Sequence, residues 1–299
     1  MPHFIIAGIL LALITTVSLA WKWQLGTART GLTVGAMALI AGLIMASLGD
    51  MLPPNVMLRT AAVWLLTMAS ATAVLAYRFY RDPERKIPER SDAIVSPADG
   101  EIIYVREASQ GLLPVSTKFG RHYTLEELTK TPLQSADCVV IGIAMSFLDV
   151  HVNRAPIQGR ITLQRHFPGI FGSLRLPEML FQNERVTTVL ENNDLQIAVV
   201  QIASRLVRQI ASFVGENQEV RLGQRIGAIR LGSQVDLVLP AREDLRILVK
   251  PGQRVHAGAS VVAEFKPALQ NTKPQGGPRE ELEISTENAA IAQRAGAPM

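Results

Sequence analysis

The chain is predicted to fold as a mostly β (α+β) soluble domain preceded by N-terminal transmembrane helices, and three observations lead there. Hydrophobic residues make up 48% of the 299 residues and crowd into the first 77. From residue 93 onward, short apolar runs rich in β-branched side chains recur with turn signals between them, the pattern of many short strands. Beyond Lys266 the chain is rich in Gln, Asn, Pro, Gly, Ala and Glu without apolar periodicity, which marks a tail unable to bury a core. The expected organisation is a membrane segment at 1–77 with two to three helices, a juxtamembrane linker at 78–92, a folded domain at 93–266 and a disordered tail at 267–299.

In the membrane segment, residues 4–21, 30–49 and 60–77 carry no charged side chain. Each stretch approaches the ~20 residues that cross a hydrocarbon core. Met1-Pro-His-Phe lacks the positive start of a cleaved signal peptide. Lys22 and Arg29 lie in the first loop, Asp50 and Arg59 offset one another around the second, and Arg78, Arg81, Arg85 and Lys86 follow the third stretch. The positive-inside rule then places the first loop and everything after residue 77 on the cytoplasmic side, with the N-terminus outside.

Of the thirty basic residues only seven are lysine, and no basic run marks a nucleic-acid face. Arginines so scattered suit phosphate or carboxylate recognition. Cys138 is the only cysteine, so neither an intramolecular disulfide nor a cysteine metal cluster can form, and a reducing compartment fits. No metal is expected.

Strand-like runs follow in order at 93–95, 101–105, 139–145, 150–152, 186–190, 195–202, 209–214, 235–239, 245–249 and 260–265. Helical patterning is confined to 125–130 and 174–182. Val220-Arg-Leu-Gly-Gln-Arg-Ile226 is echoed 29 residues later by Val249-Lys-Pro-Gly-Gln-Arg-Val255. Each copy reads as strand, glycine turn and strand, similar to the hairpins of lipoyl and biotinyl domains, although neither copy displays a lysine acceptor at its tip.

Leu231-Gly-Ser233 opens the alternating run Val235, Leu237, Leu239. Glycine admits backbone angles closed to other residues, so the Ser233 hydroxyl can turn back onto the Gly232 carbonyl. Attack there converts the amide to an ester, and β-elimination then cuts the chain. Alone, Gly-Ser before a strand is an ordinary turn. Its company is Phe79-Tyr-Arg-Asp-Pro-Glu-Arg85, Ser96-Pro-Ala-Asp-Gly100 and Leu148-Asp-Val-His-Val-Asn-Arg-Ala-Pro156. In this order, behind a membrane segment, the four closely resemble the phosphatidylserine decarboxylase proenzymes, the shorter bacterial and archaeal subgroup in particular.

The resemblance implies self-cleavage between Gly232 and Ser233. A large chain (1–232) and a small chain (233–299) would stay associated, the small one headed by a pyruvoyl group made from Ser233. That cofactor forms a Schiff base with the amine of phosphatidylserine, a phospholipid substrate in the membrane, and phosphatidylethanolamine leaves. Asp99 and His151 are the expected catalytic partners of Ser233. Longer family members carry two histidines in this stretch; here the first aligns with His151 and Arg154 stands at the second. Arg154, which cannot act as a base, and His166 are expected to bind substrate. Residues 166–181 read either as a lid over a lipid or as a packed loop. Another amine lipid as substrate, a non-enzymatic lipoyl-like adaptor, and association into a homo-oligomer stay open at this point.

Overall fold

The computed structural model describes residues 2–23, 26–48, 53–116, 122–174, 176, 178–193, 195–204, 210–229 and 233–265, with the backbone alone at 115, 116 and 233. Gly232 and the tail expected at 267–299 lie outside the described residues. Three long helices come first: α1 (His3–Trp23), α2 (Thr27–Ser47) and α3 (Val56–Tyr80). All three are long and apolar enough to cross a membrane. Their outward faces stay apolar, as at Leu10, Ile14, Leu32, Ile40 and Leu65, the all-round apolar pattern that suits lipid contact. Asn55 caps α3 by accepting a hydrogen bond from the Leu58 amide. At 25 residues, α3 is about 37 Å long by its rise per residue. That length crosses ~30 Å of hydrocarbon and still carries the last turn onward to the soluble domain.

That domain begins with β1 (Ala93–Val95), β2 (Gly100–Ala108), β3 (Leu112–Ser116) and β4 (His122–Thr124). A short helix, α4 (Leu125–Thr129), opens on a capping box between Thr124 and Glu127. Next come β5 (Cys138–Met145), β6 (Val152–Arg154), β7 (Gly159–Phe167) and the single-turn α5 (Met179–Gln182). The chain continues through β8 (Arg185–Asn192), β9 (Leu195–Ile202), β10 (Ile210–Ser212), β11 (Glu219–Val220) and β12 (Arg225–Ile229). It ends, among the described residues, with β13 (Ser233–Pro240), β14 (Leu245–Ile247), β15 (Arg254–Val255) and β16 (Val261–Phe265).

An eight-stranded sheet in the order β11-β7-β8-β9-β13-β5-β2-β15 forms the framework. Smaller sheets β1-β16-β14, β10-β12-β6 and β3-β4 complete the domain, and every pairing between these strands is antiparallel. The framework is covered on both faces. Val235, Leu237 and Leu239 of β13 join a core with Ile141 and Ile143, while Val238 joins a second core with Val140 and Ala198. The domain is thus mixed helix and sheet, as its class predicts. The strands of the two repeats pair outside their own repeats, which does not bear out lipoyl-like hairpins. β11 pairs with β7, β12 with β6 and β10, and β15 with β2. The glycine turns are present, with φ of 72° at Gly223 and 89° at Gly252. Arms only two residues long at β11 and β15 find their partners in distant strands.

On the second face of β13 the residues alternating with the apolar set are also buried. Tyr104 donates a hydrogen bond to the Asp236 carboxylate at 2.8 Å, and Gln234 Nε2 donates to both Asp236 and the Tyr104 hydroxyl at 2.7 Å. Tyr104, Gly142 and Asp236 stand in one row across β2, β5 and β13. A Cβ at Gly142 would lie 2.4 Å from the Tyr104 ring, so only glycine lets the phenol pass over the middle strand. Burial pushes the Asp236 carboxyl up to about 6, against the hydrogen bonds from Gln234 and Tyr104 that pull it down.

A raised carboxyl favours the protonated form in the fold. Its contribution to stability is complete below the ordinary value of 3.8 and is lost as pH rises through about 6. Asp236→Asn bears no charge. Its stability relative to the parent should therefore improve from about pH 4 to about pH 7, by on the order of 2 kcal/mol. Thermal midpoints of the detergent-solubilised proteins at both pH values check this; parallel curves would contradict it.

Candidate active site

The polar exit from α3, expected to be a plain linker, is a strap bonded to the soluble domain from Arg81 to Arg85. Arg81 donates to the Leu148 carbonyl at 3.2 Å. Asp82 receives Arg154 Nη2 at 3.0 Å and is paired with Arg225 as well. The Pro83 carbonyl accepts from Arg154 at 3.2 Å, and Glu84 pairs with Arg225 at 2.8 Å. Arg85 closes the strap on Asp99 at 2.7 Å. Three of the four sequence motifs thereby meet in one place.

His151 stands at the entrance to β6, just ahead of the strand run in which it was expected. It is 3% exposed, and neither ring nitrogen has a hydrogen-bond partner among the described residues. The Phe79 ring covers it with centroids 4.6 Å apart. Desolvation lowers the imidazole below its ordinary value of 6.5, against opposing pulls from Asp149 and Asp99. A neutral imidazole with free nitrogens can accept or pass a proton at neutral pH.

Asp99 occupies the turn before β2. Gly100 follows with φ of 155°, and a Cβ there would meet the Ala144 carbonyl oxygen at 2.3 Å, so the turn requires glycine to bring β2 against β5. The buried carboxylate accepts from the Ala257 amide at 2.8 Å and faces His256 Nδ1 at 3.4 Å, in addition to Arg85. The imidazole beside Asp99 is therefore that of His256.

Ser233 begins β13 directly across from Met145 of β5. Ile229, at the end of β12, donates its amide to the His151 carbonyl at 3.0 Å. Only residues 230–232 separate Ile229 from Ser233 in the chain, so Ser233 follows closely on the strand bonded to the His151 carbonyl. Leu231 and Gly232 are outside the described residues.

Two expected substrate ligands are engaged elsewhere. Arg154, 4% exposed, is held by Asp82, the Pro83 carbonyl and the Gly223 carbonyl. His166 lies in β7, three strands from β13, and pairs with Glu184 at 2.9 Å. Part of the 166–181 stretch is packed down: the Asn183 side chain accepts from the Gly172 amide and donates to the Gly172 and Ala203 carbonyls. Arg185 is fully buried and donates to the carbonyls of Leu128, Leu180 and Asn183.

A family model described as phosphatidylserine decarboxylase matches residues 73–263, from inside α3 to β16. A putative archaetidylserine decarboxylase proenzyme of Methanocaldococcus jannaschii is 40% identical over 185 residues, 62% of this chain and 87% of the relative. The protein of the same description from Methanothermobacter thermautotrophicus is 37% identical over 198 residues, 66% of this chain and 84% of the relative. A phosphatidylserine decarboxylase proenzyme of Chlorobium chlorochromatii is 32% identical over 205 residues, covering 69% and 86%.

Asp82→Ala removes the carboxylate from a buried guanidinium and loosens the strap at its centre. Breaking a buried pair costs about 3–5 kcal/mol, less here because the Asp82 side chain is 24% exposed. A loss of about 2 kcal/mol in unfolding free energy is expected, with faster proteolysis at residues 81–90. Unchanged melting and cleavage would show that the pairs contribute little.

Proposed function

The chain belongs to the phosphatidylserine decarboxylase family, and from that membership we propose that it removes the carboxyl group of a serine-headed phospholipid, phosphatidylserine, with a pyruvoyl group made from its own Ser233. One observation carries the reading. His151 is a buried imidazole with both nitrogens free among the described residues, joined through its carbonyl to the strand that leads into Gly232-Ser233.

In maturation the Ser233 hydroxyl attacks the Gly232 carbonyl, and the peptide C–N bond gives way to an ester. Loss of the Ser233 α-proton and breakage of the ester C–O bond then leave Gly232 with a free carboxylate. The dehydrated residue 233 takes up water and releases ammonia to become the ketone. Asp99 serves this stage by orienting an imidazole, and the one within its reach is His256. A buried imidazole whose ring nitrogens lack partners among the described residues, bonded through its carbonyl to the Ile229 amide, suits the group. When present, the ketone binds the substrate amine and accepts the electron pair left as carbon dioxide departs.

The chain's own residues supply the remainder. His151, neutral at physiological pH, holds or delivers the proton that replaces the carboxyl group. Dry apolar surroundings disfavour a solvated carboxylate and so favour its departure. Helices α1 to α3 anchor the domain in the membrane, and the basic residues of the first loop and strap support a cytoplasmic orientation. Tethering raises the effective concentration of a lipid held in the same bilayer. The small chain would stay with the large one because β13 lies between β5 and β9, while β15 and β16 pair with β2 and β1.

Intact mass of the purified protein should give two fragments, 1–232 and 233–299, that co-purify under native conditions and separate on denaturation. Ser233→Ala should remain a single inactive chain. A wild-type chain that is uncut yet decarboxylates phosphatidylserine vesicles at full rate would end the proposal. His151→Ala should still be cut but lose ~10²–10⁴ in turnover, the usual size of general acid–base help. Because the imidazole is lowered, wild-type turnover should persist into mildly acidic buffer and fall only as pH drops through that lowered value.

A further inference from the structure

The last turn of α3 delivers Phe79 to the soluble domain, where the side chain is buried at 8% exposure. Its ring lies 4.6 Å from His151 at an interplanar angle of 38°, and 5.5 Å from Phe147 at 35°. Tyr80 meets it edge-on at 5.0 Å. Phe79 belongs to the membrane-crossing helix itself, and the strap beginning two residues later fixes its approach. We propose that Phe79 is a positioning residue for the decarboxylation: rooted in the membrane helix, its ring is the wall that keeps the His151 imidazole dry and fixed in orientation. The proposal rests on the decarboxylase reading for what His151 does, though not for how it is held.

Burial and the polar groups around His151 act in opposite directions. The Asp149 backbone and the charges of Asp149 and Asp99 favour a protonated imidazole, and burial disfavours it. Asp149 is engaged by Arg254 and by the Ser146 amide; Asp99 is engaged by Arg85, His256 and the Ala257 amide. Arg81 is turned onto the Leu148 carbonyl. Desolvation prevails over the groups of Asp149 and Asp99, and the Phe79 ring tilted over the imidazole is an apolar surface that helps keep water from it. The aromatic face also limits rotation of an imidazole that no hydrogen bond holds among the described residues.

The test uses full-length protein and the acylating reagent diethyl pyrocarbonate, with modification located by peptide mass. His166 and His256 serve as internal standards because their side chains are 53% and 57% exposed. In the wild type His151 should react at least about ten-fold more slowly than either standard. Phe79→Ala should speed His151 by about ten-fold and leave the standards unchanged, and Phe79→Tyr should restore protection. In turnover, rehydration raises the imidazole toward its ordinary value, so the acid limb of the pH profile should move to higher pH in Phe79→Ala and return in Phe79→Tyr. Unaltered His151 reactivity with an unmoved acid limb overturns the proposal. If Phe79→Ala loosens all three histidines together, Phe79→Gln, of similar length but polar, decides. Selective exposure of His151 there sustains the wall, and its absence overturns it. Acylation needs no turnover, so an inactive chain with a selectively exposed His151 would defeat the decarboxylase reading and leave the wall standing. An active chain insensitive at Phe79 would do the reverse.

Discussion

The ion pairs of Asp82 with Arg154 and Arg225 are the constraint on which the arrangement depends. One carboxylate, two residues beyond the end of a membrane-crossing helix, holds one guanidinium from β6 and another from β12. Those two strands are neighbours, and both lead to chemistry: β6 starts beside His151, and β12 ends three residues before Gly232. Coulomb attraction of this kind strengthens where water is scarce, and Arg154 is almost wholly removed from it. That guanidinium also donates to the Pro83 and Gly223 carbonyls, as a buried charge requires. Without the clamp, Arg81 on the Leu148 carbonyl, Arg85 on Asp99 and the buried Phe79 would be left to hold the helix exit to the sheets.

The two imidazoles near the clamp divide by their solvent. His151 is buried under the Phe79 ring, and neither of its ring nitrogens has a hydrogen-bond partner among the described residues; His256 is half in water and faces Asp99. A dry imidazole resists protonation, whereas one facing a carboxylate can be oriented by it. Such a division of environments allows two histidines to serve two stages of chemistry in one small volume.

Much of the framework was legible in the sequence. Continuous apolar runs at β5 and β9 read as strands because both faces of the framework sheet are buried, and the span of β9 was read to the residue. Sequence reading missed β7, whose exposed and buried positions mix and whose end, His166-Phe-Pro-Gly, looks like a loop. Two-residue arms such as β11 and β15 are below what periodicity can register. At the site, the motif letters were legible but their partners were not: Asp82 and Arg154 are 72 residues apart. Arg154 was expected to bind substrate because a histidine's place in a motif drew attention to it, yet its donors hold the strap. Asp236 was visible only as the polar half of an alternating strand, and nothing local indicated that Tyr104 would cross a glycine to reach it.

The central position of β13 bears on the lifetime of the molecule. Before the proposed cut, β13 finds its slot between β5 and β9 as part of one chain, and its search is limited by the entropy of closing a loop. Afterwards the same strand belongs to a separate 67-residue piece, and returning it to the slot would require two molecules to meet while the slot stayed open. Folding must then come first and cutting second, and the order cannot be reversed by cooling a heated sample. The mature form would persist because it unfolds slowly, a kinetic rather than an equilibrium stability. Each molecule then has a single opportunity to assemble, taken while it is still one chain.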